Sequence, residues 1–454
     1  MAIDILIKNA TCVSHNGIEA SDVAIKDDII VAVGHLDNLE ADEVIDATGL
    51  HLMPGVIDTQ VNFREPEAKD QDKEDMARED MAREDMESGS RAAVMGGVTA
   101  VFEMSDTKPL TTTAKALKDK VKRGTNRMWC DFAFYMGASA KNAKNLHKLE
   151  RLPGCCGIKI FMGSTTGDLL VSDDQKLAEI LSNGTRRIAI HAEDEDRLNE
   201  RKHLSEEGGV SQHPIWHDEK TAYLAAASIL EIARRAGRRI HLLHVTTEDE
   251  MALLAAYKDV ASVEVTPHHL SLSAPECYEE LGTFAQMDPP IRDEMQRMGL
   301  WKALSAGIVD VLGSGHVPHE REMKALPYPK SPSGMPGVQT MLPIMLDQVN
   351  KGALSLERLV DLTSAGPARL FNIVGKGRLA VGYDADLTIV DLKRKWTIEE
   401  DWLQSKCGWS PFTGRQIIGK PVGTFVRGRK VMWEGQLAEE AAGQPIRFQD
   451  TLNG

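Results

Sequence analysis

The sequence is poor in aromatic residues and has no excess of positive charge. Aromatic side chains make up 5% of its 454 residues, and 53 Lys and Arg stand against 68 Asp and Glu, a formal net charge of −15. Proteins that bind nucleic acid usually carry a basic face, and single strands are stacked on aromatic side chains. A nucleic-acid partner is therefore not expected.

Long hydrophobic runs and paired cysteines are also missing. No uninterrupted apolar stretch reaches the roughly 18 residues that cross a bilayer, so no membrane partner is expected. The first segment, MAIDILIKNATCVSHNG, reads as a strand because it lacks the basic start and apolar stretch of a signal peptide. The six scattered cysteines form no CxxC pair. They indicate buried thiols in a reducing compartment, and the cytoplasm is the expected location.

Both ends of the chain carry short segments in which apolar and polar residues alternate. DILIKNATCV, DVAIKDDIIVAVG and EVIDATG lie within residues 1–52, and DADLTIVDL and GTFVRGRKVMWEG lie within residues 377–454. This alternation between turn residues predicts half-buried antiparallel strands. Because chain ends often lie close together, we predict that the two segments form one small β-sandwich domain.

Residues 53–376 alternate β-rich runs with helical stretches. Eight such runs follow each other: LMPGVID, TAVFEM, CDFAFYMG, GIKIFMG, RRIAIHAE, RIHLLHVTT, ASVEVTPHH and VDVLGSGH. Apolar strands separated by helices favour a parallel sheet. Eight units predict an α/β fold, a (β/α)8 TIM-like barrel. The apolar helical face at 222–232 should pack on the barrel, and part of it could serve the interface of a homo-oligomer.

Residues that could carry chemistry stand at the ends of several predicted strands. They are Lys159 in GIKIFMG and the histidines His191, His244 and His316. Active sites of such barrels lie at the C-terminal ends of the strands. Neutral imidazole is a common zinc ligand, whereas an ammonium group has no lone pair. A carbamate formed from CO₂ and the Lys159 amine would be an oxygen ligand; a purely structural role for these residues is the alternative.

A tandem repeat, MAREDMARED, occupies residues 76–85. Its five-residue period fits neither a helix face nor a strand. A charge-rich run of this kind usually forms a solvated surface. We interpret the repeat as a charged surface insertion, with a recognition loop as the alternative.

Seven motifs follow each other in order over nearly the whole chain. They are LMPGVIDTQVNFREP, GIKIFMGS, HAEDE, LLHVTT, VEVTPHHL, SPSGMPGVQTMLP and LTSAGPARLF. Together they resemble the dihydroorotase family of the amidohydrolase superfamily, in its bacterial cyclic-amidohydrolase branch. The resemblance implies a distorted (β/α)8 barrel, a metal centre, and the interconversion of dihydroorotate and carbamoyl-aspartate in pyrimidine biosynthesis. Related substrates, a hydantoin or allantoin, stay open.

The resemblance also implies a ligand set, which this chain holds only in part. Lys159, N-carboxylated, His191 and His244 match metal ligands of the family. Its Asp-x-His-x-His motif is altered, because carboxamides occupy both histidine positions, Gln60 and Asn62. Three protein ligands and water are enough for one tetrahedral zinc ion. One zinc per chain is therefore expected, and a binuclear centre is not.

The family's catalytic aspartate is also absent. Gly315 occupies its position, and without a side chain it can neither bind a metal nor carry a proton. The catalytic set is thus incomplete. Candidate substitutes are His316, which follows directly, and His268, His269 or Glu193, if the fold brings one of them close.

Two of the family's substrate-binding positions are retained in this sequence and two are altered. Arg64 and His319 match family residues that hold the substrate, and an Arg fork suits a carboxylate. Asp106 and Asp288 replace two asparagines of the family. An uncompensated like-charge pair at about 4 Å costs about 4 kcal/mol at an effective dielectric constant of about 20. Ionised carboxylates here would therefore oppose an anionic substrate.

The altered positions support a second hypothesis from another class of protein. The family includes inactive homologues that act as structural partners of aspartate transcarbamoylase. Changes concentrated at functional positions favour such a role. The changed positions are Gln60, Asn62, Asp106, Asp288 and Gly315.

Overall fold

The computed structural model describes residues 3–66, 84–165 and 167–452. Within these ranges the chain forms an eight-stranded parallel barrel and a separate nine-stranded sheet built from both termini. The predicted α/β fold with a (β/α)8 barrel is therefore confirmed. The MARED repeat lies outside the described residues, except for Glu84 and Asp85 at its end. No helix in the described part of the chain has the length and apolar character needed to span a membrane.

The strands run as follows: β1 Ile3–Ser14, β2 Gly17–Lys26, β3 Ile29–Gly34, β4 Ala41–Asp46, β5 His51–Pro54, β6 Val56–Val61, β7 Val98–Glu103, β8 Asp131–Gly137, β9 Cys155–Phe161, β10 Ile188–His191, β11 Ile240–Leu242, β12 Ala261–Val265, β13 Val311–Leu312, β14 Leu387–Thr397, β15 Gln416–Val426, β16 Arg429–Trp433 and β17 Gln436–Leu437.

The α-helices run as follows: α1 Met86–Met95, α2 Ala114–Gly124, α3 Leu146–Leu149, α4 Asp174–Leu181, α5 Glu195–Arg201, α6 His213–Trp216, α7 Glu219–Ala236, α8 Glu248–Ala255, α9 Pro267–Ser271, α10 Glu276–Leu281, α11 Glu294–Ser305, α12 Arg321–Lys324, α13 Met341–Asn350, α14 Leu356–Val360, α15 Gly366–Leu370 and α16 Gln449–Leu452.

The barrel sheet runs in chain order from β6 to β13, and each strand pairs in parallel with the next. A parallel bridge between Val61 and His316 brings the two ends of this sheet together. The eight β-rich runs of the sequence correspond to these eight strands. Because all of them point the same way, their C-terminal ends meet at one end of the barrel.

The terminal sheet has the order β17-β16-β15-β14-β5-β1-β2-β3, with β4 on β1. It departs from the predicted antiparallel pattern, because β1 is parallel to both β4 and β5. Strands joined by hairpins are antiparallel, whereas β4 and β5 return to β1 through crossovers. The domain bounds 1–52, 53–376 and 377–454 stay a prediction.

Gly55 lies between β5 of the terminal sheet and β6 of the barrel, within the run LMPGVID that the sequence predicts as one strand. The strand before it pairs with β14, and the strand after it opens the barrel. A Cβ atom at Gly55 would lie 2.2 Å from Oγ1 of Thr99. Glycine therefore allows the backbone to pass close to β7 where the chain changes sheets.

A buried charge cluster joins the barrel to the terminal sheet. Nζ of Lys376 donates to Asp131 at 2.7 Å and also to Asp386, and it lies 3.1 Å from Asp384. Burial alone would lower the pKa of Lys376, but the three carboxylates raise it. Asp131 begins β8 and Asp386 precedes β14, so the lysine links both parts of the fold.

Replacing Lys376 with alanine should lower the free energy of unfolding by about 3–5 kcal/mol, because it leaves buried carboxylates without their cation. Urea unfolding followed by circular dichroism measures the change. The control is Lys302→Ala, which removes an ion pair to Glu248 from a lysine that is 79% exposed; it should cost at most about 1 kcal/mol. Equal effects of the two substitutions would contradict this role of Lys376.

Candidate active site

A cavity of about 220 Å³ opens at the C-terminal ends of the barrel strands. Its volume suits a small molecule, and its wall brings together residues from distant parts of the sequence. The residues predicted for the metal, the substrate and the position of the missing aspartate line it, whereas the candidate substitutes His316, His268, His269 and Glu193 do not. The predicted residues in its wall are Arg64, Asp106, Lys159, His191, His244, Asp288, Gly315 and His319, together with the altered positions Gln60 and Asn62.

Lys159 reaches the cavity from the middle of β9. Its side chain is almost completely buried, with Nζ 3.2 Å from the carbonyl oxygen of Ile160 and 4.1 Å from the centre of the Phe161 ring. Burial lowers the pKa of the Lys159 amine to about 7, although the negative charge of Asp106 opposes the shift. A large fraction of this amine is therefore neutral near pH 7, as a nucleophilic amine must be.

His191 and His244 lie against each other at the ends of neighbouring strands. Nδ1 of His191 is 3.1 Å from Nε2 of His244, and Nε2 of His191 is 2.7 Å from Oε2 of Glu193. Burial, together with the nearby His191 and Lys159, lowers the pKa of His244 well below its usual value. The imidazole of His244 is thus neutral, the form in which histidine binds a metal.

The arrangement of these two rings fits a metal ion. Two zinc–nitrogen bonds of about 2.0–2.1 Å at a tetrahedral angle separate the nitrogens by about 3.3 Å, close to the separation of 3.1 Å observed. The carboxylate of Glu193 on the far side of His191 is the partner that metal-bound histidines usually have. Lys159 would complete three ligands if its amine carried a carboxylate.

Gln60 and Asn62 face the same cavity because alternate residues of a strand point the same way. Oε1 of Gln60 is buried and has no hydrogen-bond partner within the described residues. Asp58 lies below them and accepts hydrogen bonds from the backbone N–H groups of Gln60 and Ser314. Burial raises the pKa of Asp58 to about 7. Its contacts are those of a residue that satisfies backbone donors.

The structure does not bring the histidine substitutes into the cavity. Nδ1 of His316 accepts from the backbone N–H of Gly337 at 3.0 Å, and its Nε2 lies 3.4 Å from Glu84. His268 and His269 lie near carbonyl oxygens of Pro336 and Pro289 and are buried away from the cavity wall. The backbone of Gly315 itself turns at φ +61, so the following ring points away from the site.

Arg64 and His319 line the same cavity. Nη2 of Arg64 is 3.2 Å from Nε2 of His319, which lies 3.0 Å from the carbonyl oxygen of Ser333. Nε of Arg64 is buried without a hydrogen-bond partner among the residues described here. A buried guanidinium donor beside a cavity favours an anionic ligand.

Asp288, one of the two carboxylates at positions where the resemblance implies asparagine, has partners behind the cavity wall. Oδ1 of Asp288 is 2.9 Å from Nε2 of His213. Burial would raise the pKa of Asp288, but the nearby His217 and His213 lower it below its usual value. The negative charge of Asp288 is therefore compensated by partners outside the cavity, and its expected repulsion of an anionic substrate is reduced.

Sequence reasoning missed His213 and His217, which approach Asp288 from behind the cavity wall. The signal was present in HPIWH, where two histidines stand four residues apart. On a helix this spacing puts both rings on one face, as in known zinc sites.

Comparisons with known proteins agree with this fold. Residues 51–431 match the amidohydrolase family. A dihydroorotase of Methanosarcina acetivorans is 34% identical, with 96% of this chain and 93% of that protein covered. An allantoinase of Salmonella newport is 30% identical, with 94% and 95% covered. The solved structure of an L-hydantoinase from Arthrobacter aurescens superposes with a TM-score of 0.89, at 31% identity, and covers 98% of this chain and 99% of that one.

The fold and the comparisons define the class of this protein as a cyclic-amide hydrolase of the barrel type. The chain belongs to the amidohydrolase family. Metal dependence is general in that family. The predicted family resemblance is thereby confirmed, and relatives named dihydroorotase, hydantoinase and allantoinase all match nearly the whole chain.

The buried Lys159 amine should make stability depend on pH. Its pKa is about 7 in the folded protein and about 10.4 in the unfolded chain. Between these values the unfolded state binds more protons, so the lysine's contribution to stability rises with pH, by up to about 1.4 kcal/mol per pH unit. Lys159→Met removes this contribution. Because the variant has no buried amine to deprotonate, it should be more stable than the wild type at about pH 7, and this difference should shrink toward about pH 10. Urea unfolding of chelator-treated, CO₂-free protein measures the difference. A difference that stays constant with pH would contradict the depressed pKa.

Proposed function

We propose that this chain hydrolyses a cyclic amide C–N bond in a metal-dependent reaction, with dihydroorotate as its substrate. One observation carries the proposal: Lys159, His191 and His244 line the same small cavity as Arg64. The first three residues supply a metal-ligand set, and the arginine supplies a site for a carboxylate. Dihydroorotate has a ring amide and a carboxylate, so it matches both ends of this cavity.

The proposed metal is one zinc ion per chain, held by Lys159, His191 and His244. In this proposal Lys159 is N-carboxylated and binds through oxygen. The depressed pKa of its amine supports this modification, because only the neutral amine adds CO₂. A bound zinc ion would lower the pKa of water and polarise the ring carbonyl. Glu193 keeps His191 oriented through the contact at 2.7 Å.

The protein's own residues orient the substrate. Arg64 would receive the carboxylate in a charge-assisted, bidentate contact, and His319 would support this arginine at 3.2 Å. Gln60 and Asn62 contribute neutral amide groups to the same wall. Fixing the carboxylate at one end would hold the ring amide near Lys159 and His191.

Proton transfer requires a group other than Gly315. Asp106 and Asp288 are the carboxylates that line the cavity within the described residues. Asp288 is already paired with His213. We therefore propose that Asp106 is the general acid–base group of the reaction. Its negative charge also acts to raise the pKa of Lys159.

Other aspects of the proposal concern location and partners. The six cysteines are free and buried, which supports the cytoplasm. We propose a homo-oligomer. The second candidate function is a non-catalytic partner of aspartate transcarbamoylase, and the specific observation behind it is the absence of an imidazole or carboxylate at Gln60, Asn62 and Gly315. Hydantoin or allantoin are the alternative substrates if the protein is active without a requirement for Arg64.

The first test is dihydroorotate hydrolysis by protein loaded with zinc in the presence of bicarbonate. We expect turnover that is abolished in Lys159→Ala, which also loses the zinc held by this ligand set. In parallel, NMR of protein treated with ¹³C-bicarbonate should show a carbamate signal that is missing from the variant.

The matched variant for this test is Asp106→Asn, which keeps the metal ligands. It should retain zinc and lower kcat by about 10²–10⁴-fold, the usual contribution of general acid–base catalysis. No turnover in folded, zinc-loaded protein would favour the non-catalytic candidate. Turnover that persists in Lys159→Ala would refute the proposed metal site.

Arg64→Gln tests the choice of substrate. Loss of a hydrogen bond to a charged group costs about 1.5–3 kcal/mol, so KM for dihydroorotate should rise about 10–150-fold. Hydrolysis of hydantoin, which has no carboxylate, should change little in the same variant. An unchanged KM for dihydroorotate would remove the argument for this substrate.

A further inference from the structure

A second cluster of polar side chains lies directly behind the cavity wall. His213 begins helix α6 and His217 follows its end, and both side chains are almost completely buried. Their ring centres are 4.7 Å apart. Both rings lie close to Asp288.

Asp288 completes the cluster from a loop that is distant in sequence. Its Oδ1 lies 2.9 Å from Nε2 of His213. One potential ligand atom from each of His213, His217 and Asp288 lies within 4.8 Å of the other two. Movements of about 1 Å would thus bring all three within bonding distance of one cation.

The surroundings of His217 are those of a metal ligand. Nδ1 of His217 is 2.8 Å from Oε1 of Glu193. A carboxylate on one ring nitrogen fixes the tautomer and directs the other nitrogen toward a metal. Glu193 is completely buried, and its other oxygen contacts His191. One carboxylate therefore orients a histidine in each of the two clusters.

The charge balance also favours a cation. Glu193 and Asp288 contribute two carboxylates within this buried region. The guanidinium of Arg292 donates to the carbonyl oxygen of His217 at 2.6 Å. With both imidazoles neutral, as metal ligands are, the two carboxylates and Arg292 leave one net negative charge, which attracts a divalent ion.

We infer that His213, His217 and Asp288 form a binding site for a divalent transition-metal ion, with zinc or cobalt as suitable occupants. Two imidazoles and one carboxylate, with a fourth position open to solvent or substrate, form a ligand set that tetrahedral zinc accepts. Asp288 lines the active-site cavity, so this metal would lie at its wall. The inference is independent of the proposed hydrolysis, because it requires only metal binding.

The site differs from the ligand set that the family resemblance implies. That set includes the strand-end positions Gln60, Asn62 and Gly315, where this chain has no imidazole or carboxylate. Here the ligands come from a short helix and a loop instead. Asp288 itself stands where the family has asparagine, so the carboxylate that completes the cluster is a property of this chain.

Cobalt titration of the chelator-treated full-length protein tests the inference. Tetrahedral Co²⁺ absorbs visible light, and equilibrium dialysis with elemental analysis gives the number of ions bound. We expect one spectral component and one bound ion to be lost from His217→Gln and from Asp288→Asn. The affinity for cobalt at this site should fall by more than the roughly 10–100-fold that follows loss of a hydrogen-bond partner of a metal ligand. Both should persist in Lys159→Ala, which affects only the other ligand set.

Two controls make the result decisive. His203→Gln removes an exposed histidine of the same segment and should leave the titration unchanged. Asp288→Asn nearly preserves the volume of the side chain, so it decides the question if His217→Gln does not fold. Identical cobalt binding in wild-type protein and Asp288→Asn would overturn the inference, as would the loss of all cobalt absorption in Lys159→Ala. Because this test measures metal binding and not turnover, a failure of this inference can be distinguished from a failure of the proposed hydrolysis.

Discussion

The buried carboxylate of Glu193 is the interaction on which the candidate site depends. Its two oxygens contact His191 at 2.7 Å and His217 at 2.8 Å. Burial would raise the pKa of Glu193, but the adjacent histidines lower it well below its usual value. The ionised carboxylate leaves one nitrogen of each ring available as a ligand. One buried charge thereby orients two clusters that belong to different elements of the fold.

The candidate site holds one part of the residue set that the family resemblance implies and lacks another. Lys159 lies within β9, His191 ends β10 and His244 follows β11, and parallel pairing places these three strands side by side. Gln60 and Gly315 lie in the same cavity without a charged or imidazole side chain. Asp106 and Asp288 line the same cavity, and Asp288 is paired with His213 behind the cavity wall. A specific partner thus accommodates the carboxylate of Asp288.

The sequence predicted most of the fold and part of the site, for physical reasons that can be stated. Apolar runs between helices gave the eight barrel strands, and polar residues at strand ends gave Lys159, His191 and His244. The approach of His213 to Asp288 was not predictable, because it joins a short helix to a loop 75 residues away. The orientation of His316 depends on the left-handed backbone at Gly315, which residue periodicity does not reveal.

The central claim is that Lys159, His191 and His244 hold a metal ion in the cavity. Anomalous X-ray diffraction from crystals grown with zinc and bicarbonate, measured on both sides of the zinc absorption edge, tests it most directly. We expect an anomalous peak bonded to Nδ1 of His191 and Nε2 of His244, with density for a carboxylate on Nζ of Lys159. Zinc-loaded crystals without a peak at these two histidines would contradict it.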